Sequence, residues 1–201
     1  MPNVSFNPAL TTNPQNTFVL QTNGVVQGVS LDDPISFEHF GSGVIAASVS
    51  QPIWGGLAVT ATTPTLGNFN GNNPVLTLPA SGGTIAGFTT FDRTPNMIQI
   101  PGNTAPSVQA GANIGYYRLG VKARLPLPIS GSLSAFEGIS TGTVLYWDTA
   151  VNAVTLTSSL TTIALTGVTI WAPAQNSKMV SYNASTGAVS YVAGNAIIVI
   201  L

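Results

Sequence analysis

The sequence predicts an all-β protein: a small β-sandwich or barrel with an extended N-terminal arm and at most one short helix. Three observations lead there. No long apolar stripe with the roughly 3.6-residue period of a helix occurs along the 201 residues. Short runs rich in Val, Ile, Thr and Tyr alternate with Gly, Pro and Asn, and the 21 Gly and 14 Pro are scattered between them. That is the texture of many short strands joined by turns. The N-terminal stretch differs, with Pro, Asn and Thr throughout and few closely spaced apolar residues.

Two parts follow, 1–43 and 44–201. An isolated segment such as PNVSFNPALTTNPQNTFVLQTNGVVQG cannot bury enough surface to offset its ordering entropy. It is either disordered or an arm that orders against something else. In LDDPISFEHF, Asp33 suits a helix N-cap, Pro34 the first helical position, and Gly41 or Gly43 a stop, which gives one short helix near 33–40. From Val44 the β-rich domain begins. VIAASV, PIWGGLAVTAT, TIAGFTTFDRT and NMIQI read as strands, and the pair Gly55-Gly56 marks a bend or bulge. The intervening TPTLGNFNGNNPVLTLPASGG reads as an exposed loop.

Near the C-terminal end VLYWDTAVNAVTL (from Val144) matches MVSYNASTGAVSY (from Met179) at an offset of 35. Trp147-Asp148 corresponds to Tyr182-Asn183, followed in each case by a small-residue turn and Ala-Val-Thr or Ala-Val-Ser. Asp and Asn bond neighbouring backbone in turns, so each unit reads as a β-hairpin. The two are either a duplicated hairpin on one sheet or two hairpins of that sheet alike by chance.

Composition restricts function. The chain is 44% hydrophobic, enough for a core, but only 5% charged, where an ordinary soluble domain has about a quarter. Surface wetting falls to Thr, Ser, Asn and Gln, or partners cover much of the surface. A net charge of -1 supplies no field for nucleic acid or acidic lipid, so no nucleic-acid partner is expected. The absence of cysteine removes disulfides, thiolate zinc sites and Cys nucleophiles. MPNVSFNPAL has neither a basic nor an apolar signal-peptide region. The longest apolar runs, GVIAASV and AIIVIL, fall far short of the ~20 residues of a membrane helix. Synthesis in the cytoplasm, with no export signal and no membrane contact, is the expectation.

Any catalysis would draw on Asp32, Asp33, Glu38, His39, Asp92, Arg93, Arg118, Lys122, Arg124, Glu137, Asp148 and Lys178, or on hydroxyls that they activate. His39 is the single imidazole, and no G-x-S-x-G elbow presents a serine to it. DDPISFEH gathers three carboxylates and an imidazole, yet on a helix Glu38 and His39 would point about 100° apart. The spacing is not that of a calcium loop either. Asp32 and Asp33 fit better as helix-terminus charges. Glu137 and Asp148 would have to converge to act as a glycosidase pair, but Asp148 already has a turn role. No catalytic, metal or cofactor residue is expected.

The segment IGYYRLGVKARLPLP holds three of the five cations. Read as one strand, Tyr116, Arg118, Gly120, Lys122 and Arg124 share a face, and Tyr117, Leu119, Val121, Ala123 and Leu125 share the other. One face would be apolar and one basic, with acidic partners in this chain (Asp92, Glu137) or in another. LPLP would then end the pairing.

The stretches VQGVSLDDPISFEHFGSGVIAASVSQPIWGGLAVT, GFTTFDRTPNMIQIP and VQAGANIGYYRLGVKARLPLP, with the hairpin VLYWDTAVNAVT, resemble the capsid decoration, or cement, proteins of tailed-phage heads. Pro52 to Gly56 and Tyr117 to Gly120 carry the most specific part of that resemblance. It implies a β-rich structural virion protein without enzymatic activity or cofactor. Such a protein is made in the host cytoplasm and binds the outer capsid surface. There it bridges major capsid protein subunits, beside neighbouring copies of itself as a dimer or trimer. Low charge suits a wide interface, whose centre is depleted of charged residues. An arm that orders on contact adds area, and many copies on one shell multiply a modest affinity. The residues expected to make contact are Phe6, Phe18 and Val19 of the arm, Trp54, and Arg118, Lys122 and Arg124. The competing expectation is a phage fibre or receptor-binding module, to which Ser/Thr/Gly richness and repeated hairpins would also be suited. A surface adhesin would need an export signal.

Overall fold

The computed structural model describes residues 24–31, 40–64, 73–90 and 105–201. Of the helix expected near 33–40, residues 33–39 lie outside these residues and Phe40 belongs to a strand instead; the NMIQI strand also lies outside them.

Five strands, β1 (Phe40–Ile45), β2 (Ala58–Thr62), β3 (Val75–Thr77), β4 (Gly87–Thr90) and β5 (Asn113–Arg118), close a barrel in the order β1-β3-β2-β4-β5. Every neighbouring pair is antiparallel except β1 and β3, which run parallel with Ile45 opposite Leu76. The all-β expectation holds, and the alternative left open between sandwich and barrel resolves here to a closed barrel.

Two local expectations are corrected. Gly41 and Gly43 do not end a helix; they lie inside β1, opposite Tyr116 and Ile114. A Cβ on Gly41 would stand 2.7 Å from the Tyr116 ring, and one on Gly43 2.5 Å from Leu76 Cγ. A five-stranded barrel is narrow, and glycine in one strand gives room to a large side chain from the next. Val75–Thr77 is a strand, although it sits within the stretch that reads as loop. It has only three residues, too few for a periodic signal.

The chain then leaves the barrel through β6 (Arg124–Pro128) and a short 3-10 helix (Leu133–Phe136). Three short strands follow, β7 (Tyr146–Asp148), β8 (Ala153–Thr155) and β9 (Thr162–Ala164), with β7 central between β8 and β9. Two long strands, β10 (Thr169–Asn183) and β11 (Ala188–Ile200), complete the chain, and β11 pairs on its other side with β6. LPLP therefore does not stop pairing: Pro126 and Pro128 sit in β6 opposite Ile198 and Ala196. An edge strand tolerates proline because only one side of it must donate to the sheet.

One buried cluster runs through all three sheets. Phe88 of β4 meets Trp147 of β7 edge to face, with ring centroids 5.3 Å apart, and both side chains are fully buried.

Residues 24–31 are built into this body. Val26 bridges Lys178 in parallel, Gln27 N–H donates to Lys178 O at 2.9 Å, and Lys178 N–H donates to Val25 O at 2.8 Å. The segment then turns, and Gly28 N–H and Leu31 N–H donate to Pro126 O and Arg124 O on β6. It thus bonds to the outer edges of both β10 and β6. The turn is locked against the barrel. Gln27 is buried, its Nε2 donates to Gly55 O at 3.2 Å, and its Oε1 accepts from Val180 N–H at 2.9 Å. Gly28 has φ 73°, and a Cβ there would lie 2.2 Å from Gly55 C, so no other residue fits this contact.

Candidate interaction surface

The basic strip is not one strand face. β5 ends at Arg118, Gly120 takes φ 88° and Lys122 φ 59°, and Arg124 opens β6 in a different sheet. Parity is lost where the chain turns. Nor does β5 have an apolar and a basic face, since Tyr116 and Tyr117 are both buried. Tyr116 faces the barrel interior, and Tyr117 packs edge to face on Phe40 at 5.5 Å.

The three cations have different surroundings. Arg118 is exposed at the end of β5. Lys122 is exposed in the turn, where its backbone N–H donates to Leu201 O. Arg124 is half-buried, with its guanidinium carbon 5.3 Å from the centre of the Trp171 ring, within the range of a cation–π contact. No ion pair joins Arg118 or Lys122 to a carboxylate among the described residues, Glu137 included; Asp92 lies outside them.

Trp54 is not available to a partner. It is 5% exposed and packs on Tyr182, with centroids 5.7 Å apart. The PIWGG stretch serves the fold instead: Thr89 Oγ1 donates to Trp54 O at 2.6 Å and accepts from Leu57 N–H at 3.0 Å. The exposed tryptophan is Trp171, at 57%, which the sequence reading missed. Ile170 beside it is buried, and Trp171 falls at a register shift of β10 between Ile170 and Ala172, where it is opposite no residue of β11. Leu31, 38% exposed, lies on the far side of Arg124, bonded to its carbonyl at 3.0 Å. Arg124 is therefore joined through its backbone to Leu31 and through its guanidinium to Trp171. Phe6, Phe18 and Val19 lie outside the described residues.

The chemical candidates do not converge. Asp148 Oδ1 accepts from Ala150 N–H at 3.0 Å, the turn role expected of it. Glu137 is exposed and ends the 3-10 helix. His39, Asp32, Asp33 and Glu38 lie outside the described residues. Among the described residues no group of three His, Asp or Glu could hold a metal ion. A half-open depression at residues 141–144 and 165–169 is lined by Thr, Gly, Val and Leu and holds no titratable side chain.

One charged group was not singled out by sequence. Lys178 is 3% exposed, with its Nζ 4.9 Å from the Tyr191 ring centre. Desolvation lowers its pKa, and it raises that of the Tyr191 phenol. Nothing local in NSKMV distinguishes a buried lysine from a solvated one.

The two C-terminal repeats do form hairpins, in matching register. Trp147 pairs with Val154 as Tyr182 pairs with Val189, and Asp148 with Ala153 as Asn183 with Ala188. Asn183 Oδ1 accepts from Ser185 N–H at 2.9 Å, as Asp148 does from Ala150. Asn152 (φ 53°) and Gly187 (φ 71°) hold the same turn position. They lie on two sheets, however, not on one.

No protein-family model, curated protein or solved structure matches the chain.

Proposed function

We propose that this chain is a structural virion protein, a cement or decoration protein that binds the outer surface of a phage capsid and bridges major capsid protein subunits. The observation that carries the reading is an interaction surface without a chemical centre. The described residues hold six charged side chains: Arg118, Lys122, Arg124, Glu137, Asp148 and Lys178. Arg118 and Lys122 are exposed and unpaired within that set, and half-buried Arg124 lies over the exposed Trp171 ring. Trp and Arg are the side chains most often found at the energetic centre of interfaces, and sparse charge lowers the desolvation cost of a wide contact. In this role the cations meet carboxylates on capsid subunits, and repetition over the shell supplies avidity.

Co-sedimentation with assembled capsids tests it. Arg118→Glu with Lys122→Glu weakens binding about tenfold or more while the thermal transition stays in place. The informative truncation removes residues 1–23 and stops there, because Gln27 and Gly28 belong to the folded body. Full-strength capsid binding by the doubly reversed chain would remove the cations from the contact. Location of the protein in tails and not heads would replace the whole reading with a fibre or receptor-binding module.

A further inference from the structure

We propose that the outer edge of β10 at Val180 and Tyr182, continued by Ala184 at the start of the turn, is a strand-addition site. It accepts an extended, uncharged segment of another polypeptide with a β-branched apolar residue opposite Tyr182. The argument rests on the equivalence of the two hairpins and is independent of the capsid reading.

In the first hairpin the outer edge of β7 is occupied. β9 lies along it with Ile163 opposite Trp147. Leu165 N–H donates to Leu145 O at 2.8 Å, and Thr149 N–H donates to Thr161 O at 2.9 Å. Carried over by the offset of 35, Leu145, Trp147 and Thr149 become Val180, Tyr182 and Ala184. The second hairpin repeats the register and turn of the first, so the same main-chain groups point outward. These are the carbonyl of Val180, both groups of Tyr182, and the N–H of Ala184.

No strand lies there among the described residues. β10 pairs only with β11, apart from the Val26 bridge at Lys178. The covering segment reaches along the edge only as far as Gln27, whose side chain takes the Val180 N–H. Beyond that point the hydrogen bonds of the first hairpin have no counterpart in the second among the described residues.

The edge is also unprotected. Natural edges are usually blunted by charge, proline or a bulge. Val180–Ala184 has no charged residue and no Pro, and both register shifts of β10 fall earlier, before Ser177. Tyr182 is half-buried on Trp54, and a residue opposite it would take the register position that Ile163 has opposite Trp147. β9 therefore states the chemistry of the occupant: Thr-Ile-Ala, extended and neutral. Main-chain bonds supply affinity in such additions, and alternate side chains supply selectivity.

The probe is a peptide with the sequence of residues 159–166, SLTTIALT, added to the full-length protein and followed by amide hydrogen exchange. The Tyr182 and Ala184 amides exchange freely in the protein alone. A dissociation constant of about 0.1 mM gives them roughly tenfold protection at about 1 mM peptide. The same peptide N-methylated at its Ile gives none, because it cannot donate to Tyr182 O. Three results would overturn the proposal: slow exchange of both amides without peptide, protection that rises with protein concentration alone (a second copy on the edge), or equal effects of the two peptides.

Discussion

The side chain of Gln27 holds the Val180 amide from a distance of 153 residues in sequence. Its other end donates to Gly55 O, so one amide group fastens the N-terminal segment to a barrel turn and to the C-terminal hairpin. Replacing it with Leu keeps the volume and removes both bonds, leaving Gly55 O and Val180 N–H without partners. Gln27→Leu is expected to lower stability by about 1–3 kcal/mol. Urea denaturation reads this as a lower midpoint with an unchanged slope; a loss under about 0.5 kcal/mol, the size of an ordinary surface change, would mean the bridge is not a fastening.

The repeated turns separate backbone strain from steric conflict. Gly187 has φ 71° and open space around the position a Cβ would take. Gly187→Ala is therefore expected to cost only the left-handed conformation, about 1 kcal/mol. Gly115 has ordinary φ, but a Cβ there would lie 1.9 Å from the Phe40 ring. Gly115→Ala should cost about 1–3 kcal/mol, the range of core overpacking. Thermal unfolding of both variants checks the order, and a greater loss from Gly187→Ala would contradict it.

Lys178 and Tyr191 make opposite contributions at alkaline pH. The folded pKa of Lys178 lies below its ordinary 10.5. Between those two values the unfolded chain holds more protons, so this group adds stability as pH rises through the window. The Tyr191 phenol is pushed above its ordinary 10.0. Above that value the folded chain keeps a proton the unfolded chain has lost, so this group subtracts stability as pH rises further. Lys178→Met should flatten the first slope and Tyr191→Phe the second in denaturation series between about pH 8 and 12. Parallel curves for Lys178→Met and the parent chain would mean that the ammonium is not desolvated.

The sequence disclosed what depends on short-range pattern. Asp148 and Asn183, followed by small residues, specified both hairpins down to register, because turn chemistry fixes register locally. It disclosed poorly what depends on distant partners. Tyr116 through Arg124 has the alternation of one strand, yet Gly120 and Lys122 turn the chain into another sheet. Gly41 and Gly43 look like breakers until Tyr116 and Leu76 fill the space beside them. Trp54 looks like an anchor until Tyr182, from the far end of the chain, packs on it. Lys178 looks like surface, and the residues that desolvate it come from elsewhere in the chain. Arg124 meets Trp171 only because β6, β11 and β10 share a sheet, a pairing that no local pattern encodes.

The seating of residues 24–31 on β6 and β10 also sets an order of events. Their partners, Arg124, Pro126, Asn176, Lys178 and Val180, are made long after them. During synthesis the barrel strands can pair while this segment has only Gly55 to bond to. Contacts of such long range are slow to close, and domains of long-range β pairing spend longer with open edges. The main-chain bonds of the first described segment to the sheet can therefore form only after β6 and β10 have been made. A translation arrest before Lys178 would leave a barrel whose Gln27 latch is open and sensitive to protease.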